Sequence, residues 1–88
     1  MITREMIAES DEDMLFADGL DAALIGVCYR HGQPPIACYD YEKAITLIRS
    51  WGMSHDDATE YFEFNTVGAW VGDYTPCYVE MLAPEEDE

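Results

Sequence analysis

The period of apolar positions changes several times along the chain, and each change marks an element. Residues 22–29, AALIGVCY, form an almost unbroken apolar run after the turn chemistry of ADGLD, which predicts a strand buried on both faces or nearly so. RHGQPP interrupts it with Gly32 and paired prolines that cannot continue a ladder, and IACYDY then restores the apolar character. The two runs predict an antiparallel hairpin with a loop of roughly four to six residues. From Asp40, a favourable N-cap, the spacing becomes helical: Ala44, Ile45, Ile48 and Trp51 recur on one side of YEKAITLIRSW, and Gly52 supplies the stop. Ser54 and Asp57 make a capping box for a second helix starting at residue 55, with Asp56 and Asp57 at the positive end of its dipole. There Ala58, Tyr61, Phe62 and Asn65 share one side, expected in the core, while Asp56, Glu60 and Glu63 share another. Thr66, Val67 and Gly68 continue a helix poorly, so it is expected to end near Asn65. GAWVGDYTP bends back, CYVEML predicts a third strand, and residues 83–88 read as a solvated acidic tail. Ahead of these, MITREMIAESDED predicts a short helix capped by Thr3. The pattern predicts a single small α+β domain over residues 1–88 in ββααβ order with this N-terminal helix, its helices on one face of a small antiparallel or mixed sheet.

Charge alters the picture more than length does. The 88 residues carry 19 Asp and Glu against 4 Lys and Arg, a net charge of −15, yet 49% of them are hydrophobic, enough to fold rather than remain disordered. Phosphate contacts need cations, and only Arg4, Arg30, Lys43 and Arg49 exist, so nucleic acid and anionic membrane surfaces are disfavoured as direct partners. The expected partner is a basic protein surface. No run of about 18 apolar residues exists to cross a membrane, and the N-terminal stretch has neither signal-peptide nor transit-peptide character, which makes a soluble, cytoplasmic protein the expectation.

Candidate chemistry narrows against this background. Cys28, Cys38 and Cys77 are odd in number and contain no CxxC pair, so neither a disulfide framework nor a zinc site is expected, and no metal or cofactor is assigned. Glu60 and Glu63 beside His55 could be imagined as an acid and base pair, but carboxylates on the exposed side of an amphipathic helix are ordinarily solvated, and no catalytic residue is assigned. DEDMLFADGLD breaks the spacing of a calcium loop. Asn65 reads as a structural amide closing the helix. Two sets of carboxylates remain as partner-binding candidates: Asp56, Asp57, Glu60 and Glu63 on the second helix, and Glu5, Glu9, Asp11, Glu12 and Asp13 near the N-terminus. Six Tyr and two Trp exceed what so small a core can seal, and Trp70 and Tyr74 are the candidates for an aromatic interface.

The segments ADGLDAALIGV, ACYDYEKAI and EYFEFNTVGAWVGDYTP, spanning residues 17–76, resemble short acidic proteins of tailed phages and prophages. That resemblance implies a host-defence antagonist of the anti-CRISPR kind, and it assigns no functional residue. The expectation is a non-enzymatic inhibitor that occupies a basic nucleic-acid-binding groove of a CRISPR effector and blocks DNA access by acidic mimicry. The alternative is a phage structural or assembly protein, or a homodimer, whose acidity only solubilises.

Overall fold

A computed structural model describes residues 2–9, 11–68 and 71–82. The candidate Trp70 and the acidic tail 83–88 lie outside the described residues. The chain forms α1 (Arg4–Ala8), a single 3-10 turn (Asp21–Ala23), β1 (Leu24–Cys28), β2 (Ile36–Asp40), α2 (Tyr41–Arg49), α3 (His55–Phe62), a π-helical turn (Glu63–Val67) and β3 (Cys77–Val79). The sheet order is β1-β2-β3, with β1 antiparallel and β3 parallel to β2, so the sheet is mixed. A parallel neighbour cannot follow through a tight turn, and α2 and α3 form the crossover that brings the chain back beside β2.

Being central, β2 is the strand whose side chains are buried from Ile36 through Cys38 to Tyr39. Its alternation sends Ala37 and Tyr39 into a core shared with Ala44, Ile45 and Ile48 of α2 and Ala58 and Phe62 of α3. Phe62 is the wedge of that core. Its ring meets Tyr41 edge-on at 5.2 Å and Tyr78 edge-on at 5.0 Å, and Tyr78 in turn stacks on Tyr39 at 5.6 Å. The fully buried Tyr39 satisfies its hydroxyl by accepting the Ala17 N–H at 2.8 Å, which pins the segment before β1 across the core, where Met14 and Leu20 are buried.

The caps form as the sequence predicts. Thr3 accepts from Met6 N at 3.3 Å, Asp40 from Lys43 N at 3.0 Å and Ser54 from Asp57 N at 3.2 Å, each worth about 1 kcal/mol. Gly52 follows α2 with φ +103°, a conformation side chains resist.

Several expectations are corrected. The run 22–29 is not a strand buried on both faces: the strand begins at Leu24, occupies the sheet edge, and is only half-buried from Ile25 onward. An apolar run cannot report strand order, and here IACYD took the centre. The connecting loop, residues 29–35, is slightly longer than expected, and CYVEML contributes only Cys77–Val79. Trp51 lies beyond the end of α2 and is 49% exposed, and Tyr61 is 39% exposed, so neither belongs to the buried stripe. Helix does not end at Asn65. It widens into the π turn, closed by the Gly68 N–H donating to the Glu63 carbonyl at 2.9 Å, and Asn65 is exposed rather than buried. The extra residue per turn rotates Asn65 off the side that an α-helical period assigns it. The helix expected over MITREMIAESDED is shorter than that stretch: α1 stops at Ala8, so Glu5 stands on it while Glu12 lies in the turn that follows.

Phe62→Ala removes the wedge from a well-packed site and is expected to cost ~3–5 kcal/mol in urea unfolding, most of the stability of a domain this small. Gly68→Ala is expected to cost ~1–3 kcal/mol, because the added Cβ would stand 2.9 Å from the Glu63 carbonyl oxygen. Both losses are read from the midpoint of the unfolding curve.

Candidate partner-binding face

α3 presents Asp56, Asp57 and Glu60 to solvent, because Ala58 and Phe62 are the residues its packing side requires. Glu63 continues the acidic side into the π turn and accepts a hydrogen bond from the Tyr41 hydroxyl at 3.0 Å. Tyr41 is pushed above the usual phenol range by burial first, then by that bond and by the fields of Glu63, Glu80 and Glu42. Negative potential therefore extends from α3 across the start of α2 to the residue after β3. His55, at the head of α3, comes within 3.8 Å of Asp56.

Beside these carboxylates the surface is concave and partly apolar. One depression, about 510 Å³, is lined by Met53, Asp57, Glu60, Tyr61, Phe64 and Asn65. Phe64 is 78% exposed. A second, about 440 Å³, runs along the other side of Tyr61 toward Trp51, Phe16 and Tyr78. Tyr61 and Asn65 line both, so the last turn of α3 and the π turn together separate them. Trp51 meets Tyr61 edge-on at 6.2 Å. Its indole also lies against Gly19, where a Cβ would stand 3.1 Å from Trp51 Cζ2 and where φ is +83°. Only glycine satisfies that backbone and that approach together.

The N-terminal carboxylates behave differently. Asp11 is committed internally: one oxygen accepts from Asp13 N at 2.9 Å and the other from the Tyr74 hydroxyl at 2.7 Å, tying the chain's first segment to the loop before β3. Tyr74, half-buried and hydrogen-bonded, serves this tie. Glu5, Glu9, Glu12 and Asp13 are exposed but share no single surface element with α3. Among the described residues, Arg4 is the one Lys or Arg side chain in an ion pair, at 2.8 Å from Asp21 and 3.4 Å from Asp18, with its guanidinium 5.1 Å from the Phe16 ring centre.

Sequence reasoning missed the exposed rings Trp51, Tyr61 and Phe64. A signal existed for Phe64: Phe62 and Phe64 are two apart, and on a helix such residues cannot share a side, so one of them had to face out.

The thiols lie in the sheet. Cys38 and Cys77 are register partners across β2 and β3, and Cys28 lies in β1. Burial raises the Cys38 thiol above its usual range, and burial followed by the Cys38 contact pushes Cys77 up to about 12. Protonated thiols are poor nucleophiles. No three His, Cys, Asp or Glu side chains among the described residues come together as metal ligands, and no helix among them is long and apolar enough to cross a membrane.

No protein-family model matches the chain, and no curated protein or solved structure shows significant similarity to it.

The tyrosines give a pH prediction. The Asp11 bond holds Tyr74, and burial holds Tyr78, neutral up to about 12. The unfolded chain ionises both near pH 10, so their stabilisation is complete below pH 10 and is lost as pH rises toward 12. Ultraviolet difference titration is expected to show some of the six tyrosines silent until that range, with thermal unfolding moving to lower temperature across the same interval.

Proposed function

We propose that this chain acts by binding, without making or breaking bonds, and that the acidic side of α3 enters a basic nucleic-acid-binding groove of another protein and keeps nucleic acid out. The observation that carries this reading is the pairing, around one depression, of Asp57 and Glu60 with the exposed rings of Tyr61 and Phe64, and with no Lys or Arg in its lining. Charge alone is weak support, since acidic surfaces commonly serve solubility. Exposed rings beside the charge supply apolar contact area that a merely solubilising surface does not need. Carboxylates attract the cations that line a nucleic-acid channel, speeding association, and the rings hold the complex once formed. Following the resemblance to phage proteins, the target expected is a CRISPR effector of a bacterial host, which places the action in the cytoplasm.

A symmetric homodimer across this surface is disfavoured by the same charges, because it would bring the Asp57 and Glu60 of two copies together in a chain already at −15.

The test is DNA binding by purified, guide-loaded CRISPR effector complexes, followed by gel shift with increasing amounts of this protein. Wild-type chain is expected to displace DNA, less effectively as salt rises. The paired reversal Asp57→Lys with Glu60→Lys should raise the amount needed by about tenfold or more. Equal inhibition by the reversed variant, or inhibition indifferent to salt, would rule out the acidic side of α3 as the contact. No displacement from any effector would remove the CRISPR assignment.

A further inference from the structure

The second depression has a composition of its own. Its walls include four aromatic rings, Phe16, Trp51, Tyr61 and Tyr78, and Asp18 stands at its rim. Asp18's side chain is fully exposed. We propose that this groove receives an arginine side chain of the basic partner, a claim that rests on the acidic-binding reading and names what the groove beside α3 selects.

The polar groups around the groove include acceptors for a ligand that only donates. Asp18 is an acceptor. Asn65 gives one amide N–H to the Tyr61 carbonyl at 3.1 Å, which leaves its side-chain oxygen as an acceptor beside one remaining N–H. The Tyr78 hydroxyl finds no hydrogen-bond partner among the described residues, although the ring is held on both sides by Tyr39 and Phe62. No Lys or Arg lines the groove. Guanidinium carries five N–H donors and no acceptor, and it is weakly hydrated and planar, so it stacks on aromatic faces where an ammonium keeps its water. Trp is the best ring for that contact.

The protein already makes this arrangement once. Arg4 lies over Phe16 and reaches Asp18 at 3.4 Å, its shorter bond going to Asp21 at 2.8 Å. A ring with carboxylates beside it therefore already holds a guanidinium next to the groove, and Trp51 with Tyr61 supplies a second pair of rings within its lining. The volume, about 440 Å³, lies within the range of sites that enclose whole small ligands and leaves room for the side chain with its flanking backbone. Charge complementarity names the occupant: a chain at −15 meets basic partners, and their cationic side chains are the groups that reach it first.

The experiment titrates isotope-labelled protein with N-acetyl-arginine amide, N-acetyl-lysine amide and the uncharged N-acetyl-citrulline amide, following amide and indole resonances by NMR. Expected are shifts at Trp51, Tyr61 and Asn65 with the arginine probe, weaker shifts with lysine, and none with citrulline. Asp18→Asn should weaken arginine binding by about tenfold, and Tyr61→Leu should weaken it as well, with folding confirmed from each variant's own spectrum. Equal response to citrulline or lysine, unchanged binding by both variants, or shifts confined to Asp57 and Glu60 would each overturn the assignment. Those failures leave the gel-shift result on α3 standing. Groove binding that survives a negative gel shift would instead remove the inhibitor reading and keep the groove.

Discussion

Four rings hold this fold together. Phe62 lies between Tyr41 and Tyr78, and Tyr78 lies on Tyr39, so helix, crossover and sheet meet in one aromatic contact chain. The constraint is severe in a domain with so little interior. β2 must be buried for Tyr39 to reach the middle, and the segment before β1 must fold across it to give the Tyr39 hydroxyl its partner. Rings in edge-on contact add directional preference to the area they bury, which fixes α3 against the sheet in one orientation. The outward side of α3 is thereby set, and with it the placement of Asp57, Glu60 and Phe64.

The surplus of negative charge is distributed according to what each carboxylate touches. Asp11 bridges Asp13 and Tyr74, Asp21 holds Arg4, Asp40 caps α2, and Glu63 takes the Tyr41 hydroxyl. These are structural uses of acid, and they separate Asp11 and Glu63 from Asp57 and Glu60, whose carboxylates make no such bond among the described residues. A strongly charged chain can thus be divided by hydrogen bonding into groups that hold the fold and groups free for a partner, a division that net charge cannot express.

The fold was legible in the sequence where a local rule is strict. Thr3, Asp40 and Ser54 cap because a side-chain oxygen two or three residues before orphan N–H groups has one favourable use. The order of elements followed from the period of apolar positions. What was not legible depended on tertiary competition: which of two apolar runs became the central strand, and whether Trp51 extended the buried stripe or turned out onto Gly19. The site was less legible than the fold. Asp57 and Glu60 were identifiable from helical spacing, but Tyr61 was assigned to the core and Phe64 was given no place, while Asn65 was put on the packing side because the α-helical period was carried through residues that widen into a π turn. That turn leaves little mark in composition beyond Gly68, whose missing Cβ is what the Glu63 carbonyl needs.

The Glu63–Val67 turn also bears on how such a surface could change over generations. A helix carrying one surplus residue is, in effect, an insertion already absorbed, and losing a single residue there would restore the regular pitch and re-aim the side chains of the turn itself by up to about 100° around the axis. Asn65 and its neighbours would then leave the ridge between the two hollows and the core of the domain would scarcely register it. Interaction specificity in this chain could therefore shift through one codon's deletion, without trial of new side chains.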